Sequence, residues 1–215
     1  MKPYVTATAV LVCALWTAGN VKADVCDSSK NLVVNCGFET GDLTGWVVAP
    51  SGAYNYYYGV DNADAYTGNF GAFLGGTGSY NNNLDSFALL GQFVPTVAGR
   101  PYVFSYDWAH DTSSDPGATP DDFFAAGING IIIPGSQQAD VGDQAFTNYT
   151  YTFLATSNST LIEFEAEDSN FVFSLDDVSL SLAPEPASLA LSAFALAAVG
   201  LFLLRRRRNL ESSRA

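Results

Sequence analysis

Positive charge is nearly absent from the long middle of this 215-residue chain. Residues 24–183 contain 20 of the 22 acidic residues but only two basic ones, Lys30 and Arg100, so their net charge is −18 against −13 for the whole chain. Proteins that bind nucleic acids neutralise phosphates with lysine and arginine. The composition therefore excludes nucleic acid as a partner, and it favours solubility and the binding of cations.

Histidine is also scarce, since His110 is the only one. A zinc site built on three histidines is excluded, and a Ser-His-Asp triad would have to combine His110 with Asp107 or Asp111. No serine lies in a G-x-S-x-G context. Glycosidases need two opposed carboxylates, and among so many acidic residues any chosen pair would be arbitrary. We predict a non-catalytic protein, with a small polysaccharide hydrolase as the less favoured alternative.

Apolar runs without charge occur at the two ends of the chain. Residues 187–204 contain no charged residue and precede four arginines. As a helix they would extend about 27 Å, close to the roughly 30 Å of a hydrocarbon core. We predict a single C-terminal transmembrane helix with the arginines in the cytoplasm and the preceding chain outside. An ordinary tail anchor and a buried helix are the alternatives. The flanking residues are Pro184, Glu185, Pro186, Arg205, Arg206, Arg207 and Arg208.

The N-terminus has the features of a secretory signal peptide. Lys2 precedes a short apolar stretch over residues 5–16, and Val21-Lys22-Ala23 is similar to a cleavage site with small residues. An uncleaved first membrane helix is the alternative, but the apolar stretch is short for a span. We therefore divide the chain into a signal peptide (1–23), an exported domain (24–183) and a C-terminal segment (184–215).

The C-terminal segment resembles the PEP-CTERM sorting signal of Gram-negative bacteria, in which a Pro-Glu-Pro motif, an apolar helix and a basic end follow in this order. The resemblance covers only residues 184–215. It implies processing by exosortase, a membrane-embedded cysteine peptidase. The protein would be anchored in the inner membrane before processing and would then reach the cell surface or the extracellular matrix. Proteins with this signal are typically associated with exopolysaccharide or biofilm.

Two cysteines remain after removal of the signal peptide, which contains Cys13. Cys26 and Cys36 are close in sequence, and an exported chain is expected to oxidise such a pair to a disulfide. Two free thiols or a metal pair are the alternatives. A zinc site would need more cysteine or histidine than the chain offers.

Apolar residues in the exported domain alternate with polar ones, as in half-buried antiparallel strands. The alternation is clearest in residues 102–109, 149–153, 162–167 and 178–182. We predict an all-β fold of about ten short strands, a β-sandwich or barrel, with no convincing amphipathic helix in residues 24–183. Further strands are expected near residues 32–34, 46–49, 54–60, 70–74, 87–93 and 127–133.

Two motifs near the ends of the exported domain resemble galactose-binding-like jelly rolls, a group that includes several carbohydrate-binding modules. The first motif is N-x-G-F-E-x-G-x-x-x-G-W over residues 35–46, and the second is L-D-D-V over residues 175–178. The resemblance implies a jelly-roll β-sandwich with a structural calcium ion held by Glu39 and by Asp176 or Asp177. Oxygen ligands of this kind suit Ca²⁺.

The position of Asp176 in the alternation bears on the calcium prediction. Asp176 shares its parity with Val178, Leu180 and Leu182, which predicts that its carboxylate points inward. A buried carboxylate needs a partner, and the domain has only two basic residues. A cation is one answer, and backbone N–H groups are the alternative.

Aromatic residues beside polar ones indicate sugar binding, because aromatic faces and side-chain oxygens are common in binding pockets. Core packing of the same rings is the alternative. We predict an exported surface or matrix protein that binds or organises exopolysaccharide. A purely structural surface protein without a specific glycan is the alternative function. The candidate sugar-contacting residues are Tyr54, Tyr56, Tyr58, Trp108, His110 and Asp111.

Overall fold

The computed structural model describes Cys26 and residues 28–50, 56–76, 87–110 and 122–184. The predicted signal peptide, the apolar C-terminal stretch, Tyr54 and Asp111 lie outside these residues. Within the described ranges we find no helix long and apolar enough to cross a membrane.

Ten antiparallel strands build the described part of the chain, as the alternation predicts. Extended, β-branched and aromatic sequences favour this conformation, and turns rich in glycine, asparagine and proline separate the strands. The strands are β1 (Val47–Pro50), β2 (Tyr56–Asp61), β3 (Gly71–Gly76), β4 (Ala88–Pro95), β5 (Pro101–His110), β6 (Asp122–Ile128), β7 (Ile131–Ile132), β8 (Gln138–Ala139), β9 (Gln144–Leu154) and β10 (Ser159–Leu182).

Strand β10 belongs to both sheets of a sandwich. Its first half pairs with β4 on one side and β6 on the other, while β1 extends the sheet beyond β4 and β7 and β8 extend it beyond β6. Its second half pairs with β3 and β5, which carry β2 and β9 as outer strands. The register of pairing with β3 shifts between Asp168 and Phe173, where β10 passes from one sheet to the other.

Aromatic side chains from both sheets fill the space between them. The ring of Phe164, from the first half of β10, lies 5.0 Å from the ring of Tyr106 on β5. The ring of Phe124 on β6 lies 5.0 Å from Trp108 and 5.3 Å from Phe173. Burying one such side chain contributes about 1.5–3 kcal/mol. The two sheets are therefore held together by an aromatic core.

Four expected strands differ from the structure. Residues 162–167 and 178–182 are two halves of the single strand β10. Residues 127–133 form a hairpin, because Asn129 and Gly130 have φ angles of 54° and 77° and reverse the chain between β6 and β7. Residues 32–34 are not a strand, although the Leu32 N–H donates to the Leu180 carbonyl at 2.9 Å.

Candidate functional site

The predicted disulfide closes a loop within the N-terminal segment that precedes β1. Cys26 and Cys36 are bonded, which confirms the pairing. Gly37 follows directly, and a Cβ atom placed on it would lie 3.2 Å from Cys26 Sγ, 3.4 Å from Asp176 Oδ1 and 3.9 Å from Glu39 Cγ. The fold thus brings the first jelly-roll motif against the second, as the resemblance implies.

The Glu39 carboxylate holds the far end of the loop between β2 and β3, residues 62–70. Its Oε1 accepts the N–H groups of Asn69 and Phe70 at 2.8 and 2.9 Å, and its Oε2 accepts the Asn69 side-chain amide at 3.2 Å. Burial alone would raise the pKa of Glu39, but these hydrogen bonds outweigh it and lower that pKa. Glu39 is therefore held ionised by the loop.

The Asp176 carboxylate holds the middle of the same loop. Its Oδ2 accepts the N–H groups of Tyr66 and Thr67 at 2.8 and 2.9 Å, and its Oδ1 accepts the N–H of Asp177 at 2.7 Å. Burial raises the pKa of Asp176 to about 7 in spite of these bonds. Asp177, which has a φ of 52°, accepts the Thr67 hydroxyl at 2.9 Å. The loop thus covers a pair of buried carboxylates.

The structure corrects the predicted orientation of Asp176. In β10, Leu175 pairs with the buried Trp108 and Asp176 pairs with Asp107, so Asp176 lies on the face opposite the aromatic core. A bulge between Asp176 and Ser179 then shifts the alternation. Asp176 is buried because the loop of residues 62–70 covers it, not because it points inward. Leu182, expected on the inner face, pairs with the buried Tyr102 but is 48% exposed at the end of β10.

Three predicted calcium ligands, Glu39, Asp176 and Asp177, therefore converge on one loop. In the described ranges we find no set of three or more histidine, cysteine, aspartate or glutamate side chains arranged to hold a metal. Backbone N–H groups donate hydrogen bonds to the carboxylates of Glu39 and Asp176. This is the alternative to a cation that the sequence left open. Glu39 Oε1 and Asp176 Oδ2 each already accept two N–H groups, so an acceptor site for an ion is left only on Glu39 Oε2 and Asp176 Oδ1 of these two carboxylates.

A groove of about 560 Å³ lies on the outer face of the second sheet, beside the same loop. Tyr57 on β2 and Phe73 on β3 share this face, because their neighbours Tyr58 and Leu74 alternate to the other side. A Cβ atom at Gly59 would lie 2.6 Å from the Phe73 ring, so only glycine leaves room for this ring position. The groove is lined by Tyr57, Ala63, Asp64, Phe73, Phe171, Val172 and Ser174.

One polar pair lies among these apolar walls. The Ser174 hydroxyl donates to Asp64 Oδ1 at 2.5 Å. Burial raises the pKa of Asp64, and the hydrogen bond from Ser174 opposes that rise. The groove thus combines one half-exposed tyrosine, at 48%, and a second ring with a carboxylate and a hydroxyl. This arrangement can contact both the C–H face and the hydroxyl groups of a sugar ring.

No protein-family model matches this chain, and no curated protein resembles it in sequence. Solved structures do resemble its fold. The enzymatically active domain of tailspike protein 4 from bacteriophage CBA120 matches with 14% identity and a TM-score of 0.50, over 72% of this chain and 22% of that chain. The CBM22-1–CBM22-2 tandem domain of Xyn10C from Paenibacillus barcinonensis matches with 16% identity and a TM-score of 0.50, over 72% of this chain and 46% of that one.

A third structure, TmCBM61 in complex with β-1,4-galactotriose, has 18% identity and a TM-score of 0.47, over 72% of this chain and 100% of that chain. At these identities the similarity concerns the fold. The sandwich shares the jelly-roll fold of the CBM22 tandem domain. The chain spans only about a fifth of the tailspike domain, at 22%.

Two of the residues predicted to contact sugar are buried in this jelly roll. Trp108 is 0% exposed and packs on Phe124, and His110 is 2% exposed and bonds to Asp168 at 2.7 Å. Both are inward positions of β5, so in this structure their side chains face the core and not the groove. Tyr58 is exposed but does not line the groove.

The remaining candidates are not tested by the structure. Tyr54 and Asp111 lie outside the described residues, and of Tyr56 the structure describes only the backbone. The groove is lined instead by Tyr57, which precedes the candidate Tyr58 and lies on the opposite face of β2 from it. The alternation of β2 was the signal that could have separated Tyr57 from Tyr58. Nothing local in the sequence indicates that Asp64 and Ser174 meet, because they are 110 residues apart.

Proposed function

We propose that this chain is an exported, non-catalytic protein whose jelly roll binds a polysaccharide in the groove between Tyr57 and Asp64. The observation that carries this proposal is the placement of Tyr57 and Phe73 on one sheet face beside the Asp64–Ser174 pair. Aromatic rings pack on the apolar faces of sugars, and a carboxylate accepts hydrogen bonds from their hydroxyls.

The charge of the domain narrows the class of polysaccharide. A net charge of −18 over residues 24–183 repels polyanions, and the described lining of the groove contains no lysine or arginine that would pair with a uronate or sulfate. A neutral polysaccharide therefore fits best. The groove meets solvent at Tyr57, which is 48% exposed.

The composition of the groove supports binding without catalysis. Asp64 is the one carboxylate among its described lining residues, whereas glycoside hydrolysis uses two carboxyl groups about 5–10 Å apart. A small polysaccharide hydrolase remains the less favoured alternative, and incubation with the polysaccharides named below would reveal it by the release of reducing ends.

Export and surface location are part of the same proposal. The N-terminal signal peptide and the resemblance of residues 184–215 to a PEP-CTERM signal support secretion, transient anchoring in the inner membrane and release by exosortase. The bonded pair Cys26–Cys36 supports an oxidising compartment. The work of the protein would then be to bind or organise exopolysaccharide at the cell surface or in the matrix.

A structural calcium ion also belongs to this proposal. The convergence of Glu39, Asp176 and Asp177 on the loop of residues 62–70 supports it. Residues 24–183 contain only two basic residues that could balance the charge of these carboxylates. An ion here would stabilise the loop that carries Asp64 and so one wall of the groove.

Affinity electrophoresis tests the binding proposal. The exported domain should be retarded in gels that contain xylan or β-1,4-galactan, and not in gels that contain polygalacturonate. Tyr57→Ala and Phe73→Ala should remove the retardation. Phe93→Ala is the matched control, because Phe93 is 68% exposed on the outer face of the other sheet. Retardation unchanged in both groove variants would overturn the proposal for this groove.

The outer face of the first sheet favours the second candidate, a structural surface protein. Val47, Phe93 and Leu161 form an apolar surface there that borders Glu163. If no neutral polysaccharide retards the domain, association through this face is the better account. Sedimentation of wild type against Phe93→Glu would measure it.

A further inference from the structure

The only histidine of the chain lies between two hydrogen-bond acceptors. His110 Nδ1 is 3.0 Å from the Val141 carbonyl oxygen, and His110 Nε2 is 2.7 Å from Asp168 Oδ2. The imidazole side chain is fully buried, and the Asp168 side chain is 6% exposed. The His110 ring stacks on the Phe173 ring, and the two ring centroids are 4.4 Å apart. Two hydrogen-bond contacts and the stacking contact therefore hold the ring in one orientation.

This geometry determines how many protons the site holds. A neutral imidazole carries one N–H, whereas a carbonyl and a carboxylate both only accept. A neutral ring can satisfy only one of these contacts. With the proton on Nδ1 it donates to Val141 and turns the lone pair of Nε2 toward the Asp168 carboxylate; with the proton on Nε2 it donates to Asp168 and turns the lone pair of Nδ1 toward the Val141 carbonyl. The two contacts are both satisfied when the ring is an imidazolium and Asp168 is ionised.

The charged groups around the ring support the imidazolium. Asp168 faces it from β10, and Asp122 faces it from β6 while accepting the Val141 N–H at 2.8 Å. Asp140 lies near Asp122 and adds to the negative charge. Burial lowers the pKa of His110, but the bond to Asp168 and the charges of Asp122 and Asp168 outweigh it and raise that pKa.

The second oxygen of Asp168 holds a wall of the groove. Asp168 Oδ1 accepts the Phe171 N–H at 2.9 Å, and Phe171 and Val172 both line the groove. In this segment the pairing of β10 with β3 is interrupted between Asp168 and Phe173. The bond from Phe171 to Asp168 thus replaces a regular ladder contact, and the carboxylate joins the histidine to the groove wall.

We propose that His110 and Asp168 form a proton-dependent clamp that sets the position of Phe171 and Val172, so that polysaccharide binding weakens when His110 loses its proton. The second half of this inference rests on the proposed function of the groove. The clamp requires that the neutral ring keeps its proton on Nδ1: Nε2 and Asp168 Oδ2 then repel each other, the carboxylate rotates, and its other oxygen leaves the Phe171 N–H. A neutral ring with its proton on Nε2 would hold Asp168 in place, and the Phe171 amide would then not respond to the titration. His110 and Asp168 are positioning residues, since neither lines the groove.

Nuclear magnetic resonance tests the clamp without a glycan. In a domain purified without a histidine tag, the imidazole signals report His110 alone. We expect its pKa to lie above 6.5, and the Phe171 amide proton to shift with the same midpoint. Burial also raises the pKa of the Asp176 carboxyl to about 7, so this carboxyl could cause a shift in the same pH range. The titration is therefore repeated on Asp176→Asn, in which that carboxyl is absent. A His110 pKa at or below 6.5, or a Phe171 amide that ignores the titration, would overturn the clamp.

Asp168→Asn separates a clamp from a merely structural bond. The carboxamide that replaces the carboxylate can still accept the Phe171 N–H through its oxygen, and its NH₂ group can donate to Nε2 of a neutral His110, so no proton is needed. In xylan gels, we expect the wild-type affinity to fall about fivefold between roughly pH 6 and pH 8.5, the size of one typical intramolecular hydrogen bond. The variant should keep the same affinity across that range.

A variant that shows the wild-type pH dependence would contradict the proposal. Absence of retardation at every pH, in xylan and in β-1,4-galactan, would refute the proposed function instead. The Phe171 and His110 titrations would still decide whether the clamp exists.

Discussion

Glu39 and Asp176 hold one loop from two ends of the chain. Glu39 accepts the N–H groups of Asn69 and Phe70, and Asp176 accepts those of Tyr66 and Thr67. Between them these carboxylates bind four backbone N–H groups of a segment that has no strand partner of its own. The same loop carries Asp64, which lines the groove. Glu39 of the first motif and Asp176 of the second therefore support one wall of the candidate binding site through this loop.

Removing the Asp176 carboxylate should loosen this loop. Asp176→Ala leaves the N–H groups of Tyr66, Thr67 and Asp177 without their acceptor, and a buried unpaired group costs about 1–3 kcal/mol. We expect a loss of about 3 kcal/mol or more in the free energy of unfolding, measured by urea denaturation. Glu165→Gln, on a half-buried strand position far from the loop, should change it by less than about 1 kcal/mol. Equal effects of the two substitutions would contradict the role of Asp176.

Calcium should raise the melting temperature of the exported domain. An ion that binds only the folded state stabilises it by about 2.7 kcal/mol at a hundredfold excess over Kd. EDTA should therefore lower the melting temperature by several degrees, and Ca²⁺ should restore it better than Mg²⁺. Glu39→Gln and Asp176→Asn should each abolish the response. Identical melting curves in EDTA and in millimolar Ca²⁺ would leave the loop N–H groups as the sole partners of these carboxylates.

The disulfide should stabilise the domain by constraining the unfolded chain. Cys26 and Cys36 are separated by 10 residues, and a loop of this size predicts about 2–3 kcal/mol. Replacing both cysteines by serine should reduce the free energy of unfolding by that amount, and reductant should have the same effect on the wild type. Alkylation of periplasmic material without reductant should leave both thiols unlabelled. Labelling of either cysteine would argue against the bond in the cell.

Stability should fall as the pH rises from mildly acidic to mildly basic. The raised pKa of His110 means that its contribution is complete below the unfolded value near 6.5 and is lost as the pH passes the folded value. Burial also raises the pKa values of Asp122 and Asp176, the latter to about 7, so the folded state keeps protons that the unfolded state releases above about 4. All three groups act in the same direction.

Thermal unfolding in EDTA measures this dependence. The melting temperature should be higher near pH 5.5 than near pH 8.5, and Asp168→Asn should reduce the difference. EDTA is needed because an ion at Asp176 would favour the ionised carboxyl and mask part of the effect. A melting temperature that rises with pH over this interval would contradict the directions given for these groups.

Processing should leave a mature chain that lacks both ends. In a host with exosortase, mass spectrometry of the secreted protein should place its start near Asp24 and its end near residues 184–188. In a host without exosortase, the protein should stay in the membrane fraction with Arg205–Arg208 attached. Retention of these arginines in the exosortase-containing host would contradict the sorting proposal.

The sequence by itself determined the class of the fold and the disulfide. Side chains alternate between the faces of a strand whatever its neighbours are, so the pattern of β5 and β9 was readable locally. The pairing of Cys26 with Cys36 was equally readable, since both lie in a short exported segment. The two jelly-roll motifs also indicated correctly that Glu39 and Asp176 would come close to each other.

Only the tertiary structure decided which carboxylates and rings are buried, and by what. Asp176 lies on the outer face of β10 and is buried because a loop more than a hundred residues away in sequence covers it. The change of sheet near Asp168 depends on a register shift that pairing partners impose. Trp108 and Tyr57 are both aromatic residues in strands, yet one is in the core and the other is in the groove. Periodicity places a side chain on one of two faces, but the packing of the second sheet and of the loops decides which of those faces meets water.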